Sequence, residues 1–203
     1  FGTAAHRLHG NVSWDIVRLL CIGSLTTAVI SILTLKFIGP VSKNFNHFIS
    51  VSIGISVLLT AISLLFRAKI LKWVQDNPKF LPSGSRLKFA TIAVGAVIGV
   101  LVTISSIGAG AIGATLILAL YPHLKPAEVA GTDIAYAVPL TALAGIGHWW
   151  LGNVHFDLLF GLLLGSVPAI WLGAKLSSAL SERATRTTLA ATLFLVGIKL
   201  VSS

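Results

Sequence analysis

The residues of this chain best suited to chemistry lie between Ser105 and Tyr136. The stretch "SSIGAGAIG" places Gly108, Gly110 and Gly113 in a G-x-G-x-x-G pattern, and Asp133 follows twenty positions after the last glycine. In a soluble protein that spacing points to a dinucleotide loop, with the acid on the ribose. The same glycines allow a second reading. Gly108, Ala109 and Gly110 let backbone N–H groups converge at the start of a short helix, Ala111 to Tyr121, whose N-terminal end carries partial positive charge. That makes an anion seat without arginine, to which Ser106 adds a hydroxyl. Close packing of glycines between helices is the competing account.

Composition decides against the nucleotide enzyme. Of 203 residues, 55% are hydrophobic and 10% charged, so the polar outer faces of a soluble α/β domain cannot be built. Long apolar stretches recur instead, each able to cross ~30 Å of hydrocarbon as a helix. The net charge of +9 does not point to nucleic acid here, because the basic residues crowd the ends of apolar segments. The expected class is an all-α, polytopic helical membrane protein whose surroundings are the lipid bilayer.

In that setting Asp133 becomes a functional candidate. A carboxylate in the apolar "VAGTDIAYAVPLTALAG" segment costs about 2.5–3.5 kcal/mol on insertion, so it should face a cavity or a partner. Thr132 adjoins it, Tyr136 lies one turn on, and Pro139 is expected to kink the helix. An ionised Asp133 would repel a bound anion, so a proton-carrying role suits it better than direct ligation. His148 and His6 are further proton-relay candidates, since imidazole titrates near neutral pH. The pair His6 and His9 lacks the companions of a metal site, the single Cys21 excludes a disulfide framework, and no cofactor is implied.

Five segments read as full crossings: Ile16–Leu35, Phe48–Phe66, Val129–Gly147, Leu158–Leu176 and Leu189–Val201. The region Phe89–Leu120 would overshoot the bilayer as one helix, so it is expected to break at the glycines. The basic stretch Arg67–Lys88, with two prolines, reads as a loop between two halves.

The halves are related. "HRLHGNVSWDIVRLLCIGS" from His6 matches "HWWLGNVHFDLLFGLLLGS" from His148 at a constant offset of 142, pairing Gly10 with Gly152, Asn11 with Asn153, Asp15 with Asp157, Gly23 with Gly165 and Ser24 with Ser166. Asn11, Asp15, Asn153 and Asp157 look like turn and N-cap residues at membrane edges, beside belt tryptophans Trp14, Trp149 and Trp150. Residues 1–66 then end a first repeat, 67–88 form a basic cytoplasmic linker, and 89–203 are the second repeat. By the same offset, roughly 57 residues of the first repeat are expected upstream of Phe1. If the 89–120 region dips in and returns, Lys and Arg divide eleven inside to three outside, against seven to six for a single crossing. The dipping hairpin is preferred, and it inverts the second repeat relative to the first.

With these elements in place, "AGTDIAYAVPLTALAGIGHWWLGNVHFDLLFGLLLGSVPAIWLGAKL" and the repeated G-N-V element resemble the sulfite exporter TauE/SafE family of bacterial membrane permeases. The resemblance implies a multi-pass protein of the bacterial inner membrane that moves small sulfur-containing anions such as sulfite. The family often has a denser glycine cluster followed by a proline, and a Ser after the Gly-Thr where this chain has Asp133. The other readings of the sequence are a non-transporting membrane assembly subunit, a metal or cation carrier, and an intramembrane hydrolase using Ser105 or Ser106 with His148.

Overall fold

The structure, a computed structural model, describes residues 12–38, 43–77, 81–105, 109–152, 154–177 and 182–201. Among these, seven helices follow one another: α1 (Trp14–Ile38), α2 (Lys43–Asp76), α3 (Ser85–Ser105), α4 (Ala109–Leu120), α5 (Pro126–Trp150), α6 (Phe156–Ser177) and α7 (Glu182–Val201). Four carry apolar runs long enough to cross a membrane: Trp14–Phe37, Val51–Asp76, Ser85–Ser105 and Ala127–Trp150. The described apolar parts of α6 and α7, Phe156–Ile170 and Thr187–Val201, are shorter than the crossings expected there.

The 89–120 region is two helices, and they fold back on each other. The hydroxyls of Thr91, near the start of α3, and Tyr121, just past the end of α4, lie 2.7 Å apart. Along a single straight helix the thirty residues between them would separate the two by about 45 Å. The pair therefore enters and returns to one side, as the charge distribution favoured. Its legs are unequal. α4 has 12 residues and is about 18 Å long, too short to cross ~30 Å of hydrocarbon, so its N-terminus starts at membrane depth.

Two details differ from the sequence reading. α2 does not stop at Phe66 but continues through "RAKILKWVQD" to Asp76, because these are strong helix formers despite their charge. It ends where Pro78 disfavours helix in the residue before it, and the Asn77 side chain donates to the Trp73 carbonyl at 2.9 Å. The acids of the repeated motif sit two residues further in than the N-cap. Ser13 and His155 supply the carbonyls that open α1 and α6, while Asp15 and Asp157 occupy the first turns, where a negative charge suits the helix dipole. Gly152 adopts φ +75°, a left-handed conformation that glycine enters without steric cost.

Glycines set the helix crossings. A methyl group on Gly95 would meet the Leu20 carbonyl at 2.5 Å; one on Gly99 would run into Ser24 and Thr27, and one on Gly23 into Ile92. α1 and α3 thus touch backbone to backbone, through a G-x-x-x-G element on α3, and Thr27 donates across the seam to the Ala96 carbonyl at 2.9 Å. Leu20 faces Gly95 and Ser24 faces Gly99, so the two helices run parallel.

α2 and α7 pack in the opposite sense. Gly54 faces Gly197 and Val201, and Gly197 faces Gly54 and Leu58; a methyl on either glycine would lie 3.1 or 3.3 Å from the other's carbonyl oxygen. This contact is antiparallel and self-complementary, and its residues correspond at an offset of 143, one residue from the sequence repeat. A two-fold axis between α2 and α7 has that signature. The repeats are therefore inverted.

Candidate functional site

Asp133 lies in the first third of α5. That helix opens with Pro126 at N1 and with Glu128 reaching back to the Lys125 amide at 2.8 Å, so the segment "KPAE" fixes where it starts. Only 7% of Asp133 is exposed, and its Oδ1 has no hydrogen-bond partner. An orphaned carboxylate oxygen at this depth is costly to keep unless something binds or protonates it.

The surroundings are the glycines of α4. A methyl on Gly113 would run into both Asp133 Oδ1 and the Tyr136 hydroxyl, whereas one on Gly110 would stand 3.7 Å from Oδ2, an ordinary contact. Absence of a side chain at 113 is what admits the carboxylate to the flank of the first helical turn. Amide N–H groups of such a turn have no partner within their own helix and carry the positive end of its dipole. The carboxylate lies beside Gly110 of that turn, and the fully buried Tyr136 interacts with the carboxylate from the same helix face.

Thr132 is also fully buried. Its Oγ1 accepts a hydrogen bond from the Ser13 amide at 3.0 Å. The residue preceding α1, just after the repeated G-N-V element, is thereby fastened beside Asp133. Sequence spacing gave no sign of this contact, which joins residues 119 positions apart.

His148 is placed elsewhere. It stands fifteen residues beyond Asp133 on α5, about 22 Å along the helix, and its Nε2 lies 2.8 Å from the Thr103 carbonyl. A carbonyl only accepts, so Nε2 carries the proton and the ring pins the end of α3 to α5. Beside it a cavity of ≈ 430 Å³ is lined by Ile53, Val102, Ser105, Thr141, Gly145 and His148. Ser105 is the last residue of α3, so this space adjoins the break. The Ser105 hydroxyl donates to the Leu101 carbonyl at 2.6 Å.

Gly110 of the predicted anion seat thus lies near Asp133, with Thr132 adjoining it, and Ala109 opens α4. Ser106, Gly108, His6, Gly10, Asn11 and Asn153 lie outside the described residues. Among the described residues no cluster of His, Cys, Asp and Glu could hold a metal ion. Trp14, Trp149 and Trp150 are exposed, with Lys36 Nζ 3.6 Å from the Trp150 ring, as suits a membrane edge.

The family model for "Sulfite exporter TauE/SafE" matches residues 1–200. The chain belongs to the sulfite exporter TauE/SafE family. Among its relatives in Bacillus subtilis (strain 168), "Probable membrane transporter protein YjnA" is 31% identical over 201 residues, 99% of this chain and 79% of that protein. "Probable membrane transporter protein YunE" is 29% identical over 79% of this chain and 63% of its own length. "Probable membrane transporter protein YdhB" is 26% identical over 98% and 78%. No solved structure matches. This TauE/SafE member is a membrane transporter.

Proposed function

We propose that this protein is a secondary transporter that carries small oxidised-sulfur anions, sulfite or its relatives, across the bacterial cell membrane with proton coupling through Asp133. The observation that carries the reading is the placement of a buried carboxylate, one of whose oxygens has no partner, against the first turn of a helix too short to cross the bilayer. In this account the α4 amides stabilise the anion, and a proton on Asp133 removes the repulsion that an ionised carboxylate would exert on it. Anion and proton then bind favourably together, the requirement for coupling their movement. The basic stretch 67–88 lies on the cytoplasmic side, and the ≈ 430 Å³ cavity beside Ser105 and His148 provides an approach to the break.

Uptake of labelled sulfite into proteoliposomes, with and without an imposed pH gradient, tests this. The expected result is saturable flux accelerated by the gradient. Flux no greater than in protein-free liposomes would remove the transport assignment for sulfite.

A further inference from the structure

The C-terminal end of α2 gathers basic residues that have no acidic partners. With 34 residues and a length of about 51 Å, α2 exceeds the ~30 Å of hydrocarbon by roughly 20 Å, and its last turns, residues 67–76, stand in the headgroup layer. Lys69 and Lys72 are exposed there, as are Arg86 and Lys88 in the first turn of α3. Among the described residues none of these four pairs with a carboxylate, and Asp76 is the single acid between residues 67 and 88.

Amid these cations lies an apolar cavity of ≈ 200 Å³. α2 lines it with Trp73 and Val74, the connection with Leu81, α3 with Val94, and α4 with Leu116 and Ala119. Asn77 also borders it, but the side-chain amide of Asn77 is already turned to the Trp73 carbonyl. Lys69 stands one turn before Trp73 on the same side of α2, Lys72 adjoins Trp73, and Leu81 leads within a few residues to Arg86. Trp73 is 57% exposed, an amphipathic ring of the kind that sits at headgroup level.

Neither feature alone identifies a ligand. A basic connection orients a membrane protein without binding anything in particular, and an apolar hollow takes any acyl chain. Together they select. A lipid with one chain in the cavity brings its phosphate among Lys69, Lys72 and Arg86, where a negative headgroup is attracted and a zwitterionic one, carrying its own cation, gains much less. A free phosphate ion would use the cations but not the cavity.

We propose that the cavity between the end of α2 and the hairpin of α3 and α4 binds one anionic phospholipid, with an acyl chain against Trp73, Val94 and Leu116 and the headgroup phosphate held by Lys69, Lys72 and Arg86. The site is separate from Asp133 and independent of what the protein transports. Because α4 forms one wall, an occupied site braces the helix whose other end carries Gly110.

Native mass spectrometry counts the lipid that stays on the full chain after release from micelles holding equal amounts of phosphatidylglycerol and phosphatidylcholine. One phosphatidylglycerol is expected to remain in several-fold excess over phosphatidylcholine. Lys69→Gln combined with Lys72→Gln, both at exposed positions, should weaken its hold about 25-fold, or about fivefold for each lysine. Ala119→Phe fills the cavity, leaves the cations in place and should also release the lipid; a melting scan without lipid checks that each variant is folded. Excess inorganic phosphate should leave the lipid on the unaltered protein, an arm that needs no substitution. Equal retention of the two lipids overturns the proposal, as does phosphatidylglycerol held undiminished by either folded variant. Displacement by inorganic phosphate overturns it too, since the cations would then serve the free ion.

Discussion

Gly110 and Gly113 lie within one turn of each other, yet the structure assigns them different tolerances. An alanine methyl at 113 meets Asp133 Oδ1 and the Tyr136 hydroxyl too closely to stay, and both belong to buried side chains on a packed helix. Something must move by about an ångström, and overpacking of this kind costs roughly 1–3 kcal/mol. Helix propensity returns up to about 1 kcal/mol of that for Gly→Ala, so the net loss of stability is modest, at about 0–2 kcal/mol. The loss in function should be larger. A group displaced by an ångström from its working position can cost about 10²-fold in rate, so Gly113→Ala is expected to fold while losing most of its sulfite flux. At Gly110 the added methyl stands 3.7 Å from Oδ2, so Gly110→Ala should keep flux within about twofold and melt no lower than the parent. Proteoliposome flux and thermal melting of the detergent-solubilised protein separate these outcomes. Equal flux in the two variants, at equal stability, would refute the claim that the carboxylate's position against α4 matters.

Other perturbations follow from the same geometry. Asp133→Asn keeps shape but cannot exchange a proton, so sulfite flux should persist while its acceleration by a pH gradient disappears; acceleration retained in full would show that the proton travels elsewhere. Thr132→Val removes the acceptor of the Ser13 amide and should cost about 1 kcal/mol, a melting decrease of about 2–4 °C, with Thr132→Ser restoring it. Gly99→Val drives a branched side chain into Ser24 and Thr27 and should abolish the monodisperse folded peak in size-exclusion chromatography, whereas Gly145→Val, which meets nothing within 4 Å, should leave it intact.

Much of this architecture is legible in the sequence because bilayer physics is a severe filter. Apolar runs such as Ile16–Leu35 must be helices, and a 32-residue apolar stretch containing "SSIGAGAIG" must break, since no lipid-exposed alternative satisfies its backbone. Asp133 declared itself for the same reason. The extension of α2 to Asp76 was hidden because charge reads as loop, although Lys, Arg, Leu and Gln propagate helices well outside the hydrocarbon. The Gly95 and Gly99 pair was open to reading as a packing motif, but the denser glycines that begin nine residues after Gly99 are the more conspicuous signal. Contacts that depend on three-dimensional closure, Ser13 with Thr132 and Gly54 with Gly197, have no local signature. They appear only once the helices are placed. The inverted repeat bridges the two cases: its motif is in the sequence, while its axis is visible only where α2 meets α7.

The central claim is that the first turn of α4 begins inside the bilayer facing water and an anion, and one chemical measurement addresses it most directly. In a Cys21→Ser background, Gly110→Cys is treated in right-side-out and inside-out vesicles with a membrane-impermeant anionic thiosulfonate, with Val97→Cys on the outer flank of α3 as the lipid-facing control. The account predicts reaction at 110 from at least one side, slowed by sulfite, and none at 97. A cysteine at 110 that ignores the aqueous reagent from both sides, and reacts only with a lipid-soluble maleimide, would contradict it.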